Sequence, residues 1–168
     1  MSRSPQNILL YLKPREEQTI REIFAELASR GFPIQYQEPH ISITFAPELP
    51  DDVIAHAAQL LPPVIPATFQ RVGTVVFGTK RKQTVAWLLE TTDELEIAAR
   101  ELSALNIHGR GPRWTPHLTM GLRLPRQIVP EYIRALDDLG STLQKEFTAQ
   151  RAGLWKPKSH ELILFAGD

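Results

Sequence analysis

Pro39-His40-Ile41-Ser42-Ile43 and Pro116-His117-Leu118-Thr119-Met120 read the same way: proline, histidine, apolar, hydroxyl, apolar. Each runs into a longer alternating stretch, through Phe45 in the first copy and Leu122 in the second. Alternation with a period of two marks a strand with one buried face. Residues i and i+2 of a strand share a face. His40 and Ser42 therefore point one way, as do His117 and Thr119, while their apolar neighbours point into a core. The proline ahead of each histidine cannot donate to a ladder, which suits the first residue of a strand or an edge. Two strands result, each presenting an imidazole and a hydroxyl on one side.

Working outward, the flanking segments repeat in the same order. Asn7 to Lys13 reads as a strand. Pro14 opens a helix with Glu16 and Glu17 at its positive end; Ile20, Ile23, Phe24 and Leu27 form its apolar stripe and Gly31 closes it. After the first histidine strand (His40 to Ala46), Pro50-Asp51 starts a helix that ends at Leu61-Pro62-Pro63, and a strand from Ala67 to Phe77 carries Gly73 as a candidate bulge. The basic turn Gly78 to Lys82 follows, and the pattern restarts. Thr84 to Glu90 is a strand, and Thr91 with Glu94 resembles a capping box ahead of the stripe Leu95, Ala98, Ala99, Leu102 and Leu105. Asn106 to Trp114 is a loop, and the second histidine strand runs from His117 to Leu124. Pro130-Glu131 opens a helix with Ile133, Leu136 and Leu139 inward and Gly140 at its close; Phe147 to Trp155 and His160 to Phe165 are the last strands.

The histidines are 77 positions apart (117 − 40), and the same offset carries Ile8 to Val85 and Pro14 to Thr91. Such register argues for a duplicated unit, with halves of about 7–77 and 84–166 forming one α+β domain over residues 1–168. Two similar lobes packed about a pseudo-twofold would bring the histidine strands face to face across a central cleft.

The length, 168 residues, suits one domain with a proper core, and 42% hydrophobic and 23% charged residues are ordinary for a soluble protein. There are no cysteines, which excludes disulfides, thiolate nucleophiles and zinc ribbons. The stretch Met1-Ser2-Arg3-Ser4-Pro5 leads into an apolar run, Ile8 to Leu12, that Lys13 interrupts too soon for a leader or a membrane span. A cytoplasmic monomer with no membrane partner is the expectation. Lys+Arg and Asp+Glu are both 19, so no global positive field holds a long nucleic acid. An anionic ligand must be held locally, which favours a small one.

Two imidazoles facing one ligand make an acid–base pair. With an unperturbed pKa of about 6.5, one ring can be neutral and the other protonated near neutral pH. The neutral ring takes a proton from water and the protonated ring gives one to a leaving oxygen. The hydroxyls donate without charge to the non-bridging oxygens of a phosphate. Opening a phosphodiester uses all four groups and calls for no metal or other cofactor. No carboxylate or third histidine stands at ligand spacing beside either histidine.

His40-Ile41-Ser42-Ile43 and His117-Leu118-Thr119-Met120 resemble the paired His-x-Ser/Thr-x motifs of the two-histidine (2H) phosphoesterases, which include the RNA 2′,3′-cyclic phosphodiesterases, also called 2′-5′ RNA ligases. The resemblance covers nearly the whole chain. It implies two α+β lobes, each an antiparallel sheet with helices outside, lining a central cleft. It also implies that His40 and His117 are the acid–base residues and that Ser42 and Thr119 bind the phosphate. The substrate would be a 2′,3′-cyclic phosphate on an RNA terminus or a small nucleotide. Two alternatives stand beside hydrolysis: a nucleotide- or RNA-end-binding module without chemistry, and a 2′-5′ ligase running the reverse reaction.

Further substrate contacts could come from Arg81 in the basic turn, from Arg113 or Trp114 in a loop before the second motif, and from Tyr11 or Phe45 by stacking, although core packing is the preferred reading of the last two. His56, His108 and His160 are read as non-catalytic, and Trp87 and Trp155 as packing residues.

Overall fold

A computed structural model describes residues 4–140 and 145–168. Met1-Ser2-Arg3, the start of the segment weighed above as a leader, lies outside the described residues. The fold is α+β. Its strands are β1 (Gln6–Leu12), β2 (Ile41–Ala46), β3 (Ala67–Phe77), β4 (Lys82–Thr91), β5 (His117–Pro125), β6 (Glu146–Lys156) and β7 (Glu161–Ala166). Its helices are α1 (Pro14–Ser29), α2 (Asp51–Leu60), α3 (Asp93–Leu105) and α4 (Val129–Gly140). All seven strands form one antiparallel sheet in the order β2-β1-β6-β3-β4-β5, with β7 also paired to β6. Among the described residues, no helix is long and apolar enough to cross a membrane.

Local chemistry accounts for the ends of the elements. Pro14 occupies the first turn of α1. At the other end Gly31 takes a φ of 93°, and the amides of Gly31 and Phe32 donate to the carbonyls of Ala28 and Leu27 at 3.0 and 3.1 Å. These two bonds satisfy carbonyls that the helix leaves open. The cap of α3 is Thr92, whose hydroxyl accepts from the amide of Leu95 at 3.3 Å. The expected box began one residue earlier, but Thr91 is still in the ladder opposite Phe69 and its hydroxyl donates to the carbonyl of Thr68. In α4 the buried stripe is Val129, Tyr132, Ala135 and Leu136, and the expected Ile133 and Leu139 sit at its margins, partly buried. His160 does not begin the last strand; its φ of 51° places it in the turn before Glu161.

The strand registers repeat at the spacing of the histidines. In β1–β2, Ile8 pairs with Thr44 and Leu9 with Ser42, which leaves Ile43 bulged. In β4–β5, Val85 pairs with Gly121 and Ala86 with Thr119, which leaves Met120 bulged. A second shift follows Tyr11 in β1–β6, and the shift in β3–β4 lies between Arg71 and Gly73, which leaves Val72 bulged next to the Gly73 where a bulge was expected. The third strand of each sequence half crosses over: β3 pairs with β4 of the later half and β6 with β1 of the earlier half. Strand β6 then forks, giving its start to β3 and its end to β7 along the same edge.

The outer strands β2 and β5 nevertheless touch. Laid flat, five inter-strand steps would separate them by roughly 24 Å, so the sheet must curl until its edges meet. Side chains seal the approach. Trp114 donates its indole N–H to the carbonyl of Ser42 at 2.9 Å, and Asn106 donates to Thr44 Oγ1 and the carbonyl of Phe45 at 2.8 and 3.1 Å. The amide of Leu122 donates to Gln35 Oε1 at 2.8 Å. Carbonyls that an edge strand would leave open are thus satisfied.

Candidate active site

His40 precedes β2 and His117 opens β5, and both rings are anchored alike. The Nδ1 of His40 lies 2.7 Å from the carbonyl of Glu38, and that of His117 lies 2.7 Å from the carbonyl of Thr115. A carbonyl can only accept, so each Nδ1 carries its proton and each Nε2 is left free for chemistry. Both rings are half-buried. Burial holds His117 below the ordinary imidazole pKa, and the nearby His40 adds to that lowering. Arg110 acts in the same direction, and the Thr115 carbonyl works against them. His117 is therefore biased toward its neutral form, the form that accepts a proton.

The hydroxyls stand two residues on, each at the bulge and half-buried. Ser42 Oγ accepts from Asn7 Nδ2 at 2.8 Å, which leaves its own proton free to donate outward. The Thr119 hydroxyl carries no hydrogen bond among the described residues. A hollow of about 160 Å³ opens beside Ser42 and His117, with Phe45, Arg110, Trp114 and Thr115 also in its wall; His40 and Thr119 do not line it. Larger hollows of about 590 and 780 Å³ lie elsewhere, and neither is lined by a histidine.

The remaining sequence candidates divide. Trp114 is 9% exposed, meets Phe69 edge-on and commits its N–H to Ser42, so it braces the two motifs against each other. Tyr11 is buried with the Arg151 guanidinium 5.0 Å from its ring centre, and burial raises the pKa of its phenol. Phe45 is 56% exposed at the rim of the hollow. Arg113 lines the same hollow and is exposed, while Arg81 lies in the exposed turn and lines a different one. The loop before the second motif is pinned: Ser103 Oγ donates to the carbonyls of Gly111 and Arg113 at 2.6 and 3.0 Å. His56 is half-buried against the carbonyl of Asp52; His108 and His160 are exposed.

Two residues at the site were not singled out from sequence. Asn7 could have been, because it alternates with Leu9 and Tyr11 and its polar side chain falls on the face that meets Ser42. Phe77, whose ring centre is 4.7 Å from that of His117, gave no such signal.

Among the described residues, no three side chains of the metal-ligating types come together. Comparison of the chain with protein-family models finds no match, and comparison with curated proteins finds none.

Proposed function

We propose that the chain is a two-histidine phosphoesterase that hydrolyses a 2′,3′-cyclic phosphate without a metal ion, using His117 as general base and His40 as general acid. One observation carries the reading. Two free Nε2 atoms are set by identical carbonyl anchors, with the two rings in electrostatic reach of one another and a hydroxyl two residues beyond each. The halves 7–77 and 84–166 are read as pseudo-symmetric lobes with the substrate cleft between them. The matched bulges, the exchanged third strands and the fork of β6 support that arrangement.

In the reaction, neutral His117 Nε2 takes a proton from water as its oxygen attacks phosphorus. The bond from phosphorus to one ribose oxygen breaks in line with the attack. Protonated His40 Nε2 donates to that oxygen, and a ribose phosphomonoester leaves with its other oxygen as a free hydroxyl. The rings exchange protons with solvent and return to their starting states. Ser42 and Thr119 donate to the non-bridging oxygens. General acid–base groups of this kind each contribute about 10²- to 10⁴-fold.

The test is turnover of a panel of 2′,3′-cyclic nucleotides and RNA ends by the wild type, His40→Ala and His117→Ala, with and without chelator. Either substitution should lower kcat/KM by about 10²-fold or more at an unchanged melting temperature, and chelator should have no effect. Full activity in either variant would overturn the proposal, and tight nucleotide binding with no product would favour a binding module. With His117 held below the ordinary value, the acid limb of the pH profile should lie below about 6.5.

A further inference from the structure

The ring of each histidine is set by a carbonyl, that of Glu38 for His40 and that of Thr115 for His117, and neither carbonyl belongs to a helix or a strand. Irregular backbone keeps its place only through its contacts. What holds each connector therefore decides how well its ring is aimed.

The connector before His117 is held several times over. Ser103 donates to the carbonyls of Gly111 and Arg113, Asn106 donates to Thr44 and Phe45 of β2, and Trp114 donates to Ser42. The Leu89 amide adds a bond to the carbonyl of Pro116 at 3.0 Å.

The connector before His40, residues 32–39, is held more sparingly. Phe32 at its start meets the Tyr132 ring of α4 edge-on, with the ring centres 5.2 Å apart, and Pro39 at its end is buried. Between them Gln35 and Gln37 are half-buried, while Ile34, Tyr36 and Glu38 are exposed. Among the described residues, the side-chain hydrogen bonds of this connector all run through Gln35. Its Oε1 accepts from the Leu122 amide of β5 at 2.8 Å and from Gln37 Nε2 at 2.9 Å, and its Nε2 donates to the carbonyl of Pro33 at 3.3 Å. A backbone amide only donates, so the oxygen of Gln35 must be the atom that faces Leu122.

The offset between the histidines also matches Leu122 to Phe45 (122 − 45 = 77), the residue whose carbonyl takes the Asn106 amide. Each connector thus hangs from the other half's histidine strand at the same position. The anchor of His40 depends on the strand that carries His117.

We infer that Gln35 is the positioning residue of His40: by fastening the connector to β5 it keeps the Glu38 carbonyl at Nδ1, so that Nε2 faces the phosphorus that His117 serves. The inference rests on the phosphodiesterase reading and adds to it a residue that touches no substrate. Without the fastening, the Glu38 peptide is free to turn away. Nδ1 then loses its acceptor, and the ring loses both its fixed tautomer and its direction. A misplacement of about 1 Å at a reacting group costs about 10²-fold.

The experiment compares Gln35→Met, which keeps the length of the side chain without a comparable acceptor, and Gln35→Glu, which keeps an oxygen toward Leu122 and Gln37. Turnover of 2′,3′-cyclic nucleotides is measured beside nitrogen NMR of the imidazoles, which reports the tautomer of each neutral ring. Gln35→Met should lower kcat by about tenfold or more at an unchanged KM. Its His40 signals should show both tautomers while those of His117 keep their wild-type positions. Gln35→Glu should recover most of the rate and the single His40 tautomer. An unchanged His40 spectrum or an unchanged kcat in Gln35→Met would overturn the inference. So would a Gln35→Glu rate no higher than that of Gln35→Met, or an equal disturbance of His117, because the side chain would then act through the fold as a whole. If the wild type turns over no cyclic nucleotide, the phosphodiesterase reading fails separately, and the tautomer measurement still decides whether Gln35 sets the ring. Should Gln35→Met not fold, Gln35→Asn, whose amide stops one methylene short of Leu122, takes its place in both measurements.

Discussion

The two copies of the histidine motif have nearly the same backbone and different surroundings. Anchor, hydroxyl and bulge fall at equivalent positions in both. Around them, the first copy is polar: Asn7 holds Ser42, and Asn106 holds Thr44. The second copy is apolar. Phe77 covers the His117 ring, Ala86 lies opposite Thr119, and Tyr132 packs under the bulge with its hydroxyl on the carbonyl of Met120. A repeated scaffold can place two identical groups symmetrically, but only unequal environments can divide them into acid and base. Here the apolar setting falls on His117, whose pKa burial lowers.

The contrast can be broken most forcefully beneath the second bulge. A Cβ at Gly121 would lie 2.6 Å from Tyr132 Cε1 and 2.7 Å from Leu124 Cδ1, and the buried tyrosine ring has little room to yield. Gly121→Ala should cost about 2–3 kcal/mol by overpacking, a drop of about 5–10 °C in melting temperature. At the matching place in the first copy, Thr44→Ala removes one buried hydrogen bond and should cost about 1 kcal/mol. Equal melting temperatures for the two variants would mean that both bulges are supported alike.

A smaller effect is expected at Asn7. Its amide sets the Ser42 hydroxyl while its own Oδ1 is buried without a partner, so the residue contributes little net stability. Asn7→Ala should reduce kcat/KM about tenfold, a loss near 1.4 kcal/mol, while changing stability by less than about 1 kcal/mol. Activity equal to wild type would show that Ser42 needs no such positioning.

The smallest effect sharpens the electrostatic half of the comparison. Arg110→Ala removes one of the charges that depress His117, so the ring's titration by NMR should move upward. The sign extends to stability. The folded chain binds the His117 proton less tightly than the unfolded chain, so this ring costs nothing above the unfolded value near 6.5 and destabilises as pH falls through it. Arg110→Ala should lessen that acid sensitivity; an unmoved titration would assign the shift to burial and His40 without Arg110.

Most elements could be read directly from periodicity and caps, since the strand alternation at His40 to Ala46 and the stripe from Ile20 to Leu27 are local properties. The bulge beside Gly73 was legible because glycine in a strand has few other uses. The bulges at Ile43 and Met120 were not, because both residues continue an unbroken apolar alternation. Trp114 shows the same limit from the other side. Loop position suggested a ligand contact, but it gave no sign that the indole N–H also serves the edge of a strand distant in sequence. Likewise, the basic turn was visible as a charge run, whereas the convergence of Arg123 and Arg126 upon it depends on β4–β5 pairing.

The exchange of third strands has a consequence for how such a chain can be divided or can have arisen. A fragment ending at Gly78 would keep a β3 whose ladder partners, β4 and β6, are on the missing piece, and the complementary fragment would lack β1 for its β6. Neither piece should fold in isolation, while mixing them should restore the complete protein by complementation. For the same reason, an ancestor of half this length would have been obliged to dimerise by swapping strands, and fusion of its genes would have made that obligation permanent.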